Sequence, residues 1–143
     1  MATSMQHLFD ATWQKSHQWL KELEEIGQFQ SEEQAYSACR AVLHALRDRL
    51  TVGEAAHLAS ELPMLIRGFY YEGWKPSGSP VTVRDRDTFI KSVRDQLRNN
   101  VAFDPEDAVR AVFTLLERKV SEGEIQDVKQ VLPEPIRTLW PEH

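Results

Sequence analysis

Apolar residues recur along this chain at three- and four-residue spacing, the period that puts them on one face of an α-helix. Phe9, Trp13, Leu20 and Leu23 define such a face over about residues 4–27, with polar and charged residues between them. Gly27 and the polar run Gln28 to Gln30 end it. Ser31-Glu32-Glu33-Gln34 has the form of a capping box, in which the serine oxygen accepts from the N–H three residues on while Gln34 reaches back. The helix it opens runs to about Leu50, with Ala35, Ala38, Val42, Ala45 and Leu46 along one side. Thr51-Val52-Gly53-Glu54 is a second box, opening a short helix with Ala55, Leu58 and Leu62 inward. Pro63 breaks that helix at Leu62, because proline lacks an N–H and disfavours helical geometry in the residue before it. A fourth, short helix is expected from Pro63 to about Tyr71, and Gly73 to Pro80 reads as a linker.

Beyond the linker the scheme returns. Phe89, Ile90, Val93 and Leu97 form the apolar face of a helix over about residues 85–98. Asp104-Pro105 supplies an N-cap and a proline at the first helical position, for a helix to Val120 that buries Ala108, Ala111, Val112, Leu115 and Leu116. Ser121-Glu122-Gly123-Glu124 is a third capping box, and Leu132-Pro133 again breaks the chain before a last short helix ending near Trp140. Sliding the sequence by 70 places aligns residues 38–70 with 108–140 without a gap, and eleven of 33 positions are identical. Chance would give roughly two. The matched residues include Gly53, Glu54, Leu62, Pro63, Ile66 and Arg67 against Gly123, Glu124, Leu132, Pro133, Ile136 and Arg137, so caps and breaks recur in register. The pattern therefore predicts an all-α protein of two tandem, pseudo-symmetric helical repeats, each of about four helices with the last one short. The first repeat is placed at residues 1–74, a linker at 75–84 and the second repeat at 85–143, the two packing as one compact unit.

The run LRDRLTVGEAAHLASELPMLIRGFYYEGW from Leu46 to Trp74, with the later DPEDAVRAVFTLLERKVSEGEIQDVKQVLPEPIRTLWP, resembles the bacterial domain-of-unknown-function 2267 family. The similarity covers nearly the whole chain and both repeats. It implies a small bacterial helical protein and carries over neither an activity nor functional residues.

Composition narrows the function classes. With 41% hydrophobic and 27% charged residues the chain falls among globular proteins, and 143 residues are enough to bury a core without disulfides or metal. A single cysteine, Cys39, cannot form an internal disulfide, which fits a reducing cytoplasm. No secretory signal and no run of about 20 apolar residues is visible, so a membrane role is not expected. A net charge of −5 argues against a protein whose main task is gripping phosphate backbones. No phosphate loop, dinucleotide fingerprint, nucleophile elbow or His-Glu-x-x-His is present, and no cofactor is expected.

Three groups of residues carry candidate chemistry. Glu54-x-x-His57 has the ligand spacing of helical di-iron sites, and the second repeat offers Glu124-x-x-Asp127 at the equivalent positions. Against a metal site, Glu54 already has a place in a capping box and His57 lies off the apolar stripe. Arg67 and Arg137, like Arg40 and Arg110, occupy matching positions; they suit either paired anion sites or ion pairs that tie each short helix to the turn before it. Phe69 to Trp74 is the densest aromatic cluster, and Tyr71 and Trp74 are its candidates for a partner-binding surface. Finally, the first helix is acidic towards its end, Lys21 to Glu25, whereas Lys91, Arg94 and Arg98 make a basic stripe on the first helix of the other repeat; one molecule's acidic helix against another's basic one would suit a homo-oligomer. The sequence reading is thus a non-catalytic interaction or scaffold protein of the cytoplasm with an unidentified protein partner. The alternative is a metal- or small-ligand-binding protein using Glu54, His57, Glu124 and Asp127, with oxidoreduction as the chemistry such a site would support.

Overall fold

The computed structural model describes residues 2–82, 84–97 and 103–142, and among them it contains eight α-helices, one 3-10 turn and no strand. Helix α1 spans Ala2–Gly27, α2 Glu32–Arg49, α3 Val52–Ala59 and α4 Met64–Tyr71. After the 3-10 turn Pro76–Gly78 come α5 Arg86–Gln96, α6 Pro105–Lys119, α7 Glu122–Val131 and α8 Glu134–Arg137. Arg98 and His143 lie outside the described residues.

Local chemistry accounts for most of these boundaries. Ser31 Oγ accepts from the Gln34 N–H at 3.2 Å, while Gln34 Oε1 takes the Gln30 N–H at 3.0 Å. Thr51 Oγ1 accepts from the Glu54 N–H, Asp85 from that of Thr88 and Asp104 from that of Glu106, each satisfying a donor left over at a helix start. Ser121 departs from its expected box. Its N–H and its hydroxyl both donate to the Glu61 carboxylate, at 2.8 Å each, so α7 is capped from the end of α3 rather than by its own serine. In a capping box that N–H would go to the Glu124 carboxylate; here a carboxylate 60 residues away takes it.

α2 and α6 form the centre. They pack on each other, α1 lies across both, and α5 closes against α2 and α6. One continuous core joins Leu43, Leu46 and Ile66 to Phe89, Phe113 and Leu116. Polar groups span the same seam: His44 lies between Gln96 Oε1 at 3.1 Å and the Phe69 carbonyl at 2.6 Å. Arg49 donates to Ser92 Oγ and lies 5.2 Å from the centre of the Phe89 ring. Cys39 is a core residue; burial pushes its thiol up to about 12, far from a reactive thiolate.

The first apolar face divides in two. Leu23 is fully buried and Leu20 partly so, whereas Phe9 is 65% and Trp13 54% exposed. α1 is about 39 Å long at 1.5 Å per residue, and its N-terminal half runs past the elements that cover its C-terminal half. Among the described residues no helix is long and apolar enough to cross a membrane.

Candidate metal centre

α3 and α7, the short helices that follow the two central ones, pack against each other. Each buries a narrow apolar strip: Ala55, Leu58 and Ala59 on one, Ile125 and Val128 on the other. Residues three apart on a helix share a face. Glu54 and His57 therefore project together from α3, and Glu124 and Asp127 from α7. Because the two helices meet near their first turns, these two pairs converge. One ligand atom from each of Glu54, His57, Glu124 and Asp127 can be chosen so that all four lie within 4.8 Å of one another.

The cluster has a closed floor and an open mouth. Glu124 forms the floor, its side chain only 1% exposed, with Glu54 beside it at 15%. His57 and Asp127 stand at the rim, the histidine 59% exposed. His57 Nδ1 lies 2.8 Å from Glu124 Oε1 and 4.0 Å from Glu54 Oε1. Even so, Glu54 Oε1 and both Glu124 oxygens are buried without a well-formed hydrogen bond among the described residues. Buried carboxylate oxygens are ordinarily satisfied, since leaving them bare forfeits their hydration. Burial first, then the adjoining Glu54 carboxyl, push the Glu124 carboxyl up to about 8, and Glu61 and Asp127 add to the effect. Three carboxyl groups thus crowd around a space in which either a proton or a cation relieves their repulsion.

The remaining sequence candidates stay apart. Arg67 donates from Nε to the Ala59 carbonyl at 2.8 Å, and from Nη2 to those of Leu62 at 2.8 Å and Ser60 at 3.3 Å. It closes the C-terminal end of α3 rather than meeting Glu54. Arg137 is exposed, and among the described residues its guanidinium has no partner. Arg40 pairs with Glu72 at 3.2 Å, whereas Arg110 pairs with Glu106 on its own helix at 3.2 Å. Arg67→Ala is expected to cost about 2 kcal/mol, since it strands three carbonyls at a helix end, while Arg137→Ala stays within about 0.5 kcal/mol. Parallel urea titrations of the two variants measure the difference.

Tyr71 and Trp74 are half-buried and pack together against the core, ring centres 5.5 Å apart, with Trp74 Nε1 donating to Ser79 Oγ at 3.2 Å. They brace the linker. Lys91 is paired with Asp95 at 3.1 Å. Glu61 is the participant that motif reading passed over. It lies in the turn just after α3 and reaches the start of α7, a pairing that no short-range spacing signals.

An all-helical chain with an acid-and-imidazole cluster between two short helices is a class of protein rather than an identity. The family model described as an uncharacterized conserved protein (DUF2267) matches residues 16–139, and the chain belongs to that family. No curated protein matches it.

Proposed function

We propose that this protein binds one divalent first-row transition-metal ion between α3 and α7, through Glu54, His57, Glu124 and Asp127. The observation that carries this reading is the floor of the cluster: a buried Glu124 and a largely buried Glu54 from different helices, their inner oxygens short of well-formed hydrogen bonds, with a histidine and an aspartate above them at the rim. Ligand atoms on opposite sides of an ion with bonds of about 2.1 Å lie about 4.2 Å apart. A span of 4.8 Å therefore needs only a small inward shift of the rim side chains to close on one ion. Three carboxylates and an imidazole suit Mn²⁺, Fe²⁺ or Zn²⁺; Ca²⁺ would want six to eight oxygens. The open rim leaves an octahedral ion room for water or a small ligand.

The test is elemental analysis and calorimetric titration of purified protein with Mn²⁺, Zn²⁺ and anaerobic Fe²⁺. One equivalent is expected in the wild type and none in Glu54→Ala. At a hundredfold excess over Kd, binding should add about 2.7 kcal/mol to folding stability. Wild-type protein that takes up no stoichiometric metal from any of the three would overturn the reading. A second reading, a protein-interaction module, is favoured by one observation only, the uncovered apolar stripe of α1.

A further inference from the structure

Met5, Phe9 and Trp13 follow one another at i, i+4 and i+8 and continue the face that Ser16, Leu20 and Leu23 present to the core. Leu8 flanks them. From Ser4 to Ala11 every side chain is exposed, and Trp13 is about half so. Immediately beside it, α1, α2 and α4 enclose a groove of about 360 Å³ whose apolar walls include Trp13, Tyr36, Leu65 and Phe69. Stripe and groove thus lie side by side on one surface, sharing Trp13.

From this arrangement we infer that the protein forms a two-fold homodimer in which the N-terminal half of each α1 lies antiparallel along the other and fills the neighbouring groove. A surface that carries both a ridge and the hollow for it is self-complementary, and a two-fold axis is the operation that satisfies both copies at once. The exposed parts of Met5, Leu8, Phe9, Trp13, Tyr36 and Leu65 amount to on the order of 700 Å² per protomer. That approaches the roughly 800 Å² per partner of a standard stable interface, with the polar rim supplying the rest.

Charge points to the same pairing. Between Ser4 and Gln14 the only acidic or basic side chain apart from His7 is Asp10, so the net charge of −5 lies elsewhere and does not push the copies apart at this face. The first turn of α1 has no acidic residue to offset its positive end. In an antiparallel pair that end is directed at the partner's groove, whose wall carries Glu33 beside a Glu32 already paired with His17. This association is independent of the metal centre, which lies on α3 and α7.

The test is sedimentation equilibrium of the full chain across the micromolar range, with Phe9→Glu and Leu65→Glu in parallel. Both positions are exposed, so each variant should keep the wild-type circular dichroism as a monomer, and its melting temperature should fall only by the concentration-dependent stabilisation that association supplied. A wild-type dimer that weakens at least about 100-fold in both variants supports the inference, because one change alters the ridge and the other the groove. A monomeric wild type overturns it. So does a dimer that persists in both variants, which would place the interface elsewhere. Co-sedimentation with phosphatidylcholine–phosphatidylglycerol vesicles is run alongside. Monomeric wild type that binds vesicles, with Phe9→Glu failing to, would assign the stripe to a lipid surface instead.

Discussion

Glu124→Gln is expected to raise the melting temperature of the metal-free protein at pH 8.5 while abolishing its metal binding. The two effects have one origin. In the folded chain Glu124 holds its proton up to about pH 8, against an ordinary value of 4.5, because burial and the neighbouring Glu54 oppose its ionisation. A folded-state pKa above the unfolded one means that its stabilising contribution is complete below about pH 4.5. That contribution is lost as pH rises through about 8. The metal-free wild type should therefore weaken between pH 5 and pH 8.5, by on the order of a few kcal/mol. Glutamine carries no charge to bury, so the variant should be nearly flat over the same range and overtake the wild type at its upper end. Metal affinity should fall by more than the 10–100-fold that loss of an outer-shell partner ordinarily costs, because a ligand itself has gone. Thermal melts from pH 5 to 8.5, with and without added Mn²⁺, read both effects. A wild type whose metal-free stability is indifferent to pH in this window would show that Glu124 ionises there without penalty.

Phe113→Ala should produce the largest loss of stability, about 3–5 kcal/mol and a melting temperature lower by roughly 10–15 °C. Phe113 is fully buried on α6, its ring stacked on Trp140 at 4.1 Å and 6.1 Å from Phe89. Removing it opens a cavity where α5, α6 and the C-terminal segment meet, and aromatic neighbours on two sides collapse poorly into such a space. None of these contacts involves Glu54, His57, Glu124 or Asp127. While the variant remains folded, it should bind metal like the wild type, which calorimetry at 15 °C would check. Denaturant titration gives the stability loss, and Val52→Ala, a change at an exposed position, serves as the reference near zero.

The helical plan was readable because its determinants are local. Ser31, Thr51, Asp85 and Asp104 cap helices within three residues of themselves, and Pro63 and Pro133 interrupt them by their own covalent geometry. The centre was half readable. Spacing put Glu54 with His57 and Glu124 with Asp127, since residues three apart on a helix must share a face. Sequence order alone suggested Glu54 as a cap partner and left His57 in solvent, and that histidine is indeed mostly exposed. A buried Glu124 with a largely buried Glu54 beside it runs against the rule that charges stay outside. The repeat suggested the two pairs as one ligand set, but a local reading gave each glutamate a place in its own turn and no reason to be buried beside the other.

By itself, then, the sequence determined which segments are helical, where they stop and which side of each is apolar, because hydrogen bonds and steric limits over three or four residues settle those matters. Only the tertiary structure decided what those faces meet. It brought Glu54 and Glu124 together from positions 70 residues apart, gave Ser121 to Glu61, and turned Tyr71 and Trp74 against the core. It also left Phe9 and Trp13 bare, although their periodicity matches that of the buried Leu23. Hydrophobic spacing records that a helix has a face to cover; whether this chain covers it depends on helix lengths and packing across the whole fold, which no short window of residues contains.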